Sequence, residues 1–444
     1  MRRRFGSRSV GILLSLVLAC ATLPALASDT ISVEVGRESA MVSFDAMFPA
    51  VTYIHVGDTI TFTSKASATP HTVTFAASAQ MPSITDPGAM TPSQMSGGTW
   101  AGDVLLNSGI IRPGGTYTVT FTKEGVFDYA CVLHPLMLGQ IAVLPVGMPI
   151  PKIADQKVMA DMQHHDHMVQ ADLAMANQTG RLPEGTVNSD GSVTWKVHAG
   201  LGLQNFSVNQ FFPQNLVISE GDTVDFRNDN IYEFHFVTFA TSPADRDKFF
   251  GPQGANLTAM MTPMGGSVVD GSQLINSGGI FPEQTKSFRF PKTGTYKYIC
   301  YYHGGNHMEG TVIVQAKNTV HAYLNGQPIV TADTRAPHML GSHVHIPLRA
   351  VVEALNGSIA WDGASETVSV VFGPGQAKAT PTAAEGPGMK LLINGKLVVF
   401  DTIPGIHQHT EGRSYVPALQ LMNVLGGQMQ WDAATKTLVL EVHQ

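Results

Sequence analysis

The chain carries one set of reactive side chains twice, in register, and this repetition limits what it can become. Phe48-Pro49, Gly57-Asp58, His71 and Phe75 recur as Phe212-Pro213, Gly221-Asp222, His235 and Phe239, all at an offset of 164. Asn107-Ser108-Gly109, Pro113, Phe121, Gly125, Tyr129, Cys131 and His134 recur at 169 as Asn276-Ser277-Gly278, Pro282, Phe290, Gly294, Tyr298, Cys300 and His303. Met137 and Gly139 return at 171 as Met308 and Gly310. Loop lengths have drifted while the His, Cys and Met positions stayed in step. Alternating stretches such as Thr59 to Thr63, Tyr117 to Thr122 and Thr311 to Val314, bounded by Gly, Pro and Asn, read as short strands. Each copy is therefore expected to be an antiparallel β-sandwich.

Of three cysteines, Cys20 lies in an N-terminal apolar run, which leaves Cys131 and Cys300. In an oxidising compartment such a pair ordinarily reads as a disulfide. Here each is followed by a His three residues later and then by a Met, in CVLHPLM and CYYHGGNHM, so each thiol is needed in its own copy. His71 in HTVTF and His235 in HFVTF stand on a strand or at its end, and strand and loop meet at one end of a sandwich. Two imidazoles, a thiolate and a thioether suit copper in a trigonal His2Cys geometry with a weak axial Met. The candidate ligands are His71, Cys131, His134 and Met137 for one type 1 copper and His235, Cys300, His303 and Met308 for a second.

These residues also carry a resemblance. CVLHPLMLGQIAV resembles the ligand loop of amicyanin and CYYHGGNHMEGTVIV that of plastocyanin, small blue-copper proteins of the cupredoxin fold. The resemblance covers residues 30–145 and 190–316 and implies two Greek-key sandwiches whose coppers exchange single electrons. It implies further that the edges of His134 and His303 lie near the surface, beside Pro135 and Leu136 and beside Tyr302. Two departures stand out. Thr72 and Phe236 occupy the position after the first ligand where many family members have Asn, and the stretch from that His to Cys is long in both copies, which implies an inserted loop. The inserts hold Met81, Met90 and Met95, and Met260, Met261 and Met264, read first as loop packing and second as soft Cu(I) ligands.

Arg2, Arg3, Arg4 and Arg8, the apolar run from Gly11 to Leu23 and Ala25-Leu26-Ala27 form an export signal over residues 1–27. Its loss leaves 23 basic against 34 acidic side chains. With no basic run after residue 10, that balance argues against nucleic acid as a partner class, and the mature protein is expected to be secreted, in the periplasm or at the cell surface. The domains follow as 28–147, a linker at 148–188, 189–317 and 318–444. The linker is a helical or flexible spacer in which His164, His165 and His167 could form an accessory copper site, though solvated histidines are the plainer reading.

After Lys317 a different repeat begins: Asn325-Gly326 returns as Asn394-Gly395, Pro347 as Pro417 and Trp361-Asp362 as Trp431-Asp432. Each unit has an Asn-Gly hairpin turn and a short amphipathic helix, so the tail is an α+β module of two repeats on an otherwise mainly β chain. It resembles the N-terminal unit of some copper amine oxidases, reused elsewhere as a stalk or wall-associated module, and implies association with the cell wall or surface. The pairs His343, His345 and His407, His409 lie two apart on expected strands and could each share a metal. Electron transfer to an unidentified redox partner is the first functional class and copper buffering or acquisition the second. Catalysis comes third, because Ala130 and Val132 flank Cys131, and Ile299 and Tyr301 flank Cys300, where a bridge to a catalytic copper would need histidines.

Overall fold

The computed structural model describes residues 30–67, 69–134, 136–178, 181–251, 254–303, 308–329, 337–373, 389–400, 406–409 and 413–442. The expected leader and Pro135 lie outside them. The first copy runs through β1 (Thr30–Ser39), β2 (Val42–Phe48), β3 (Val51–His55), β4 (Thr59–Lys65), β5 (Thr74–Phe75), β6 (Gly98–Trp100), β7 (Leu106–Asn107), β8 (Thr116–Phe121), β9 (Gly125–Ala130) and β10 (Leu138–Leu144). In β4 the buried Ile60 and Phe62 alternate with half-exposed threonines, the period of two that a strand facing a core on one side requires. The sheet β3-β10-β9-β5-β7 covers the strands β2-β1-β4-β8-β6 over a core that includes Val33, Ile60, Phe62, Phe75 and Phe121.

A helix, α1 (Ile153–Ala176), leads into the second copy: β11 (Gly185–Val187), β12 (Val193–Leu203), β13 (Phe206–Phe212), β14 (Asn215–Ser219), β15 (Thr223–Asp229), β16 (Thr238–Phe239), β17 (Phe250–Gly251), β18 (Gly254–Ala255), β19 (Ile275–Asn276), β20 (Thr285–Arg289), β21 (Gly294–Ile299) and β22 (Glu309–Gln315). Its sheet β14-β22-β21-β16-β19 reproduces the order of the first copy. The other sheets are continuous: β13 pairs antiparallel with β2, Ser207 opposite Ser43 and Val208 opposite Val42, so one sheet runs through both sandwiches.

The expected spacer is α1, laid over this junction. Ala160 and Ala171 pack on Phe44, Phe48, Phe206, Val208 and Phe212. Gln156 and Gln163 accept the backbone N–H groups of Tyr53 and Ala50, both at 2.9 Å. No helix among the described residues is long and apolar enough to cross a membrane.

In the tail, Asn325 and Gly326, and Asn394 and Gly395, all have positive φ, as a two-residue type I′ hairpin turn demands. Strand Thr437–Glu441 pairs in parallel with His321–Leu324, and Thr367–Val371 with Lys390–Ile393. The opening strand of each repeat is thus completed by the closing strand of the other. The helices Leu348–Ala354 and Ala418–Leu425 cover the common core.

Candidate metal centre

Each candidate site is assembled from a strand entrance and a loop return. His71 precedes β5 and is bridged to Ile111; Cys131 follows β9, and His134 lies on the return to β10. The repeated Asn-Ser-Gly triplet holds the first of these in place. Ser108 Oγ accepts the Val73 N–H at 2.8 Å, and the Asn107 side chain donates to Ala89 O in the insert at 2.8 Å. Ser277 accepts from Val237, and Asn276 donates to Met260 O, at the same distances in the second copy.

His71 Nδ1 and His134 Nδ1 come within 3.2 Å of each other, and Cys131 Sγ within 3.6 Å of His134 Nδ1. The separations between His235, His303 and Cys300 are again 3.2 and 3.6 Å. An ion bonded at about 2 Å to each nitrogen and about 2.3 Å to sulfur would span such gaps. The donors therefore fit a copper ion. Both cysteines are free thiols, so no disulfide competes. Met137 and Met308 are buried in the same cores as their cysteines, and each loop closes through the Cys N–H donating to the Met carbonyl, at 3.1 and 2.9 Å.

Each sulfur accepts a backbone N–H, from Thr72 at 3.2 Å and from Phe236 at 3.5 Å. Burial pushes both thiols up, but the neighbouring imidazoles outweigh it, holding Cys131 well below the ordinary thiol range and Cys300 at about 5. Burial also opposes charge on His303, yet Cys300 and Glu233 raise that ring to about 10. The surroundings thus favour the ionised sulfur, the form in which a cysteine binds a metal.

The expected surface position of the loop histidines is overturned. His134 is 5% exposed and His303 1%, because the pairing of β2 with β13 turns the two site ends toward each other. Glu233 fills the space between them, with Oε1 3.3 Å from His134 Nε2 and Oε2 3.6 Å from His303 Nε2. Burial raises the Glu233 carboxyl, but His134 and His303 outweigh it and hold it well below the carboxylate range. Asp45, also buried, lies with Glu233 and His134 in one cluster and accepts from Ser207 at 2.8 Å; burial raises its pKa.

Sequence reasoning missed both acids. Their signal was a break in the repeat: at the offset of 164, Asp45 faces Asn209 and Glu233 faces Thr69. It also missed Gly36 and Gly200, which obey the same offset. Both have positive φ, and a Cβ at either would collide with the ring of His71 or His235, most closely at Nε2.

The described accessory histidines lie in different surroundings. On α1, His165 is exposed, while the half-buried His164 packs edge-on against Phe44 and the buried His167 lies against Phe48. No cluster of three ligating His, Cys, Asp or Glu among the described residues includes any of them. His343 is exposed, whereas His345 is buried and stacks on His338. The side chains of His407 and His409 lie outside the described residues.

A family model described as copper binding proteins, plastocyanin/azurin family, matches residues 31–144 and 198–315, together more than half of the chain. A model of the copper amine oxidase N-terminal domain matches residues 307–370. Amicyanin from Paracoccus denitrificans is 30% identical over 91 residues, which are 20% of this chain and 53% of that protein, so the chain spans about half the length of this relative. Among solved structures, the reduced state of an amicyanin variant is 26% identical and covers 27% of this chain and 86% of its own, with a TM-score of 0.18. An oxidised variant is 23% identical and covers 26% and 81%, with a TM-score of 0.17.

Proposed function

Because the chain belongs to the plastocyanin/azurin family of copper binding proteins, we propose that it is an extracytoplasmic electron carrier with two mononuclear type 1 copper sites. His71, Cys131, His134 and Met137 hold one copper and His235, Cys300, His303 and Met308 the other. The observation that carries this reading is the pair of buried His-Cys-His clusters with matching separations. Copper so held changes by one electron between Cu(I) and Cu(II). The protein's part is to keep the sulfur ionised, to hold the two Nδ1 atoms at fixed separation and to exclude water, so that little rearranges on electron transfer. The export signal supports placement outside the cytoplasm, and the tail module is proposed to keep the protein at the cell surface, where a redox partner meets it.

Copper titration with metal counting and an optical spectrum tests this. Two equivalents and an intense thiolate-to-copper band are expected; one equivalent, or no such band, would refute it. A count above two that falls when His164, His165 and His167 are replaced together would favour copper buffering.

A further inference from the structure

The two proposed copper sites share one buried carboxylate, and the inference drawn from it rests on reading them as copper sites. The Nδ1 atoms of His134 and His303 are turned toward their cysteine sulfurs. A ring that binds metal through Nδ1 keeps its proton on Nε2, and that proton needs an acceptor. Both Nε2 atoms face Glu233, one at each carboxylate oxygen: that of His134 within hydrogen-bond distance at 3.3 Å, that of His303 at 3.6 Å, an ion-pair separation rather than a hydrogen bond. An ionised carboxylate accepts at both oxygens and donates at neither, so it can serve two imidazole donors at once.

Glu233 is also well held. Its N–H donates to Asn230 Oδ1 at 3.2 Å and its carbonyl accepts from Asn228 Nδ2 at 2.8 Å. It is 4% exposed, so water does little to screen what it transmits. The matching position in the first copy is Thr69; Asp45, the other buried acid at the junction, clusters with His134 and Glu233, whereas Glu233 faces both loop histidines.

We propose that Glu233 couples the two copper sites, providing the path His134–Glu233–His303 for an electron within the molecule and making the charge at each site felt at the other. The exchange would move a single electron: the copper losing it would pass from Cu(I) to Cu(II) as the copper gaining it would pass from Cu(II) to Cu(I). No bond forms or breaks, and both Nε2 protons stay in place. Hydrogen bonding from a ligand imidazole to a carboxylate makes that imidazole a stronger donor to the metal. With one carboxylate shared, its approach to either ring is made at the expense of the other, so the two potentials are set jointly. Glu233 is here a positioning residue, acting through the ligands.

The copper-loaded full chain tests this, as wild type, Glu233→Gln and Cys131→Ser. In the oxidised wild type the Cu(II) resonance is expected to be broadened relative to Cys131→Ser, which retains one centre. After rapid substoichiometric reduction, the electron should redistribute between the centres at a rate independent of protein concentration. Glu233→Gln keeps the shape but turns an N–H toward one of the rings. It should retain both coppers, shift the potentials of both centres and slow redistribution by about tenfold or more, the lower end of what partners of metal ligands contribute.

Unchanged potentials and an unchanged rate in Glu233→Gln would overturn the proposal. So would redistribution whose rate scales with concentration, or a third metal equivalent lost in that variant, which would make Glu233 a ligand. If Glu233→Gln does not fold, an unbroadened wild-type resonance still overturns the coupling. A wild-type count other than two, or no thiolate band, instead defeats the copper reading itself.

Discussion

The two centres agree in their nitrogen and sulfur positions and differ in what surrounds the sulfur and how the loop closes. At the first, the Thr72 hydroxyl lies 3.8 Å from Cys131 Sγ and accepts the Val132 N–H at 2.7 Å; at the second, Phe236 offers no hydroxyl. The Met137 N–H reaches His134 O at 2.8 Å, whereas Met308 reaches His303 O at 3.5 Å, across a loop two residues longer. Ligand identity has been kept where loop closure and sulfur surroundings have diverged. Two sites of one design are therefore expected to differ in potential.

The most severe way to separate them removes one sulfur. Cys131→Ser deletes both a ligand and the source of the thiolate band, so the metal count should fall from two to one and the remaining spectrum should be that of the Cys300 centre. Cys300→Ser should leave the complementary spectrum. Loss of both bands in either variant would show that neither sandwich holds its copper alone.

A smaller perturbation uses the glycines beside the first ligands. Gly36→Ala and Gly200→Ala each place a methyl group against a buried His ring and force a left-handed backbone on a residue that resists it. The backbone alone costs about 1–2 kcal/mol, and the ring must also shift. Each variant should lower Tm and weaken copper binding in its own copy only, as read by calorimetry and by the spectrum that is lost first on titration with a chelator. Equal weakening of both centres would mean that the strain crosses the junction.

The eight proposed ligands were legible because each is repeated, and the Asn-Ser-Gly triplets were repeated with them because they tie the insert to the ligand strand. Glu233 was not, since comparing two copies keeps what they share and discards what they do not. The burial of His134 and His303 depends on β2 meeting β13 through Ser43 and Val42, a contact too short to leave a periodic pattern. The helix at 153–176 was within reach, given its helix formers, but its buried face of Gln156, Ala160, His167 and Ala171 is not an apolar stripe. Which surface it covers could not be read. Its histidines read first as solvated and second as ligands, yet His164 and His167 pack against phenylalanine rings.

The smallest expected effect bears most directly on the difference between the centres. A hydrogen bond to the copper thiolate withdraws electron density from sulfur and favours the reduced state, so the Thr72 hydroxyl should raise the potential of the first centre. At 3.8 Å it contributes near the lower end of a net hydrogen bond, about 0.5 kcal/mol, which for one electron is about 20 mV on the scale where 59 mV is a tenfold change. Thr72→Val should therefore lower the first potential by about that much, leaving the second where it was. The substitution also strands the buried Val132 N–H, at about 1–3 kcal/mol of stability, so a potential shift could reflect a disturbed loop. Thr72→Ser separates the two causes, because serine keeps the hydroxyl and loses only a methyl group. Voltammetry of Thr72→Ser should give the wild-type potential while Thr72→Val gives the lower one; equal shifts in both would assign the difference between the centres to loop closure rather than to the hydroxyl.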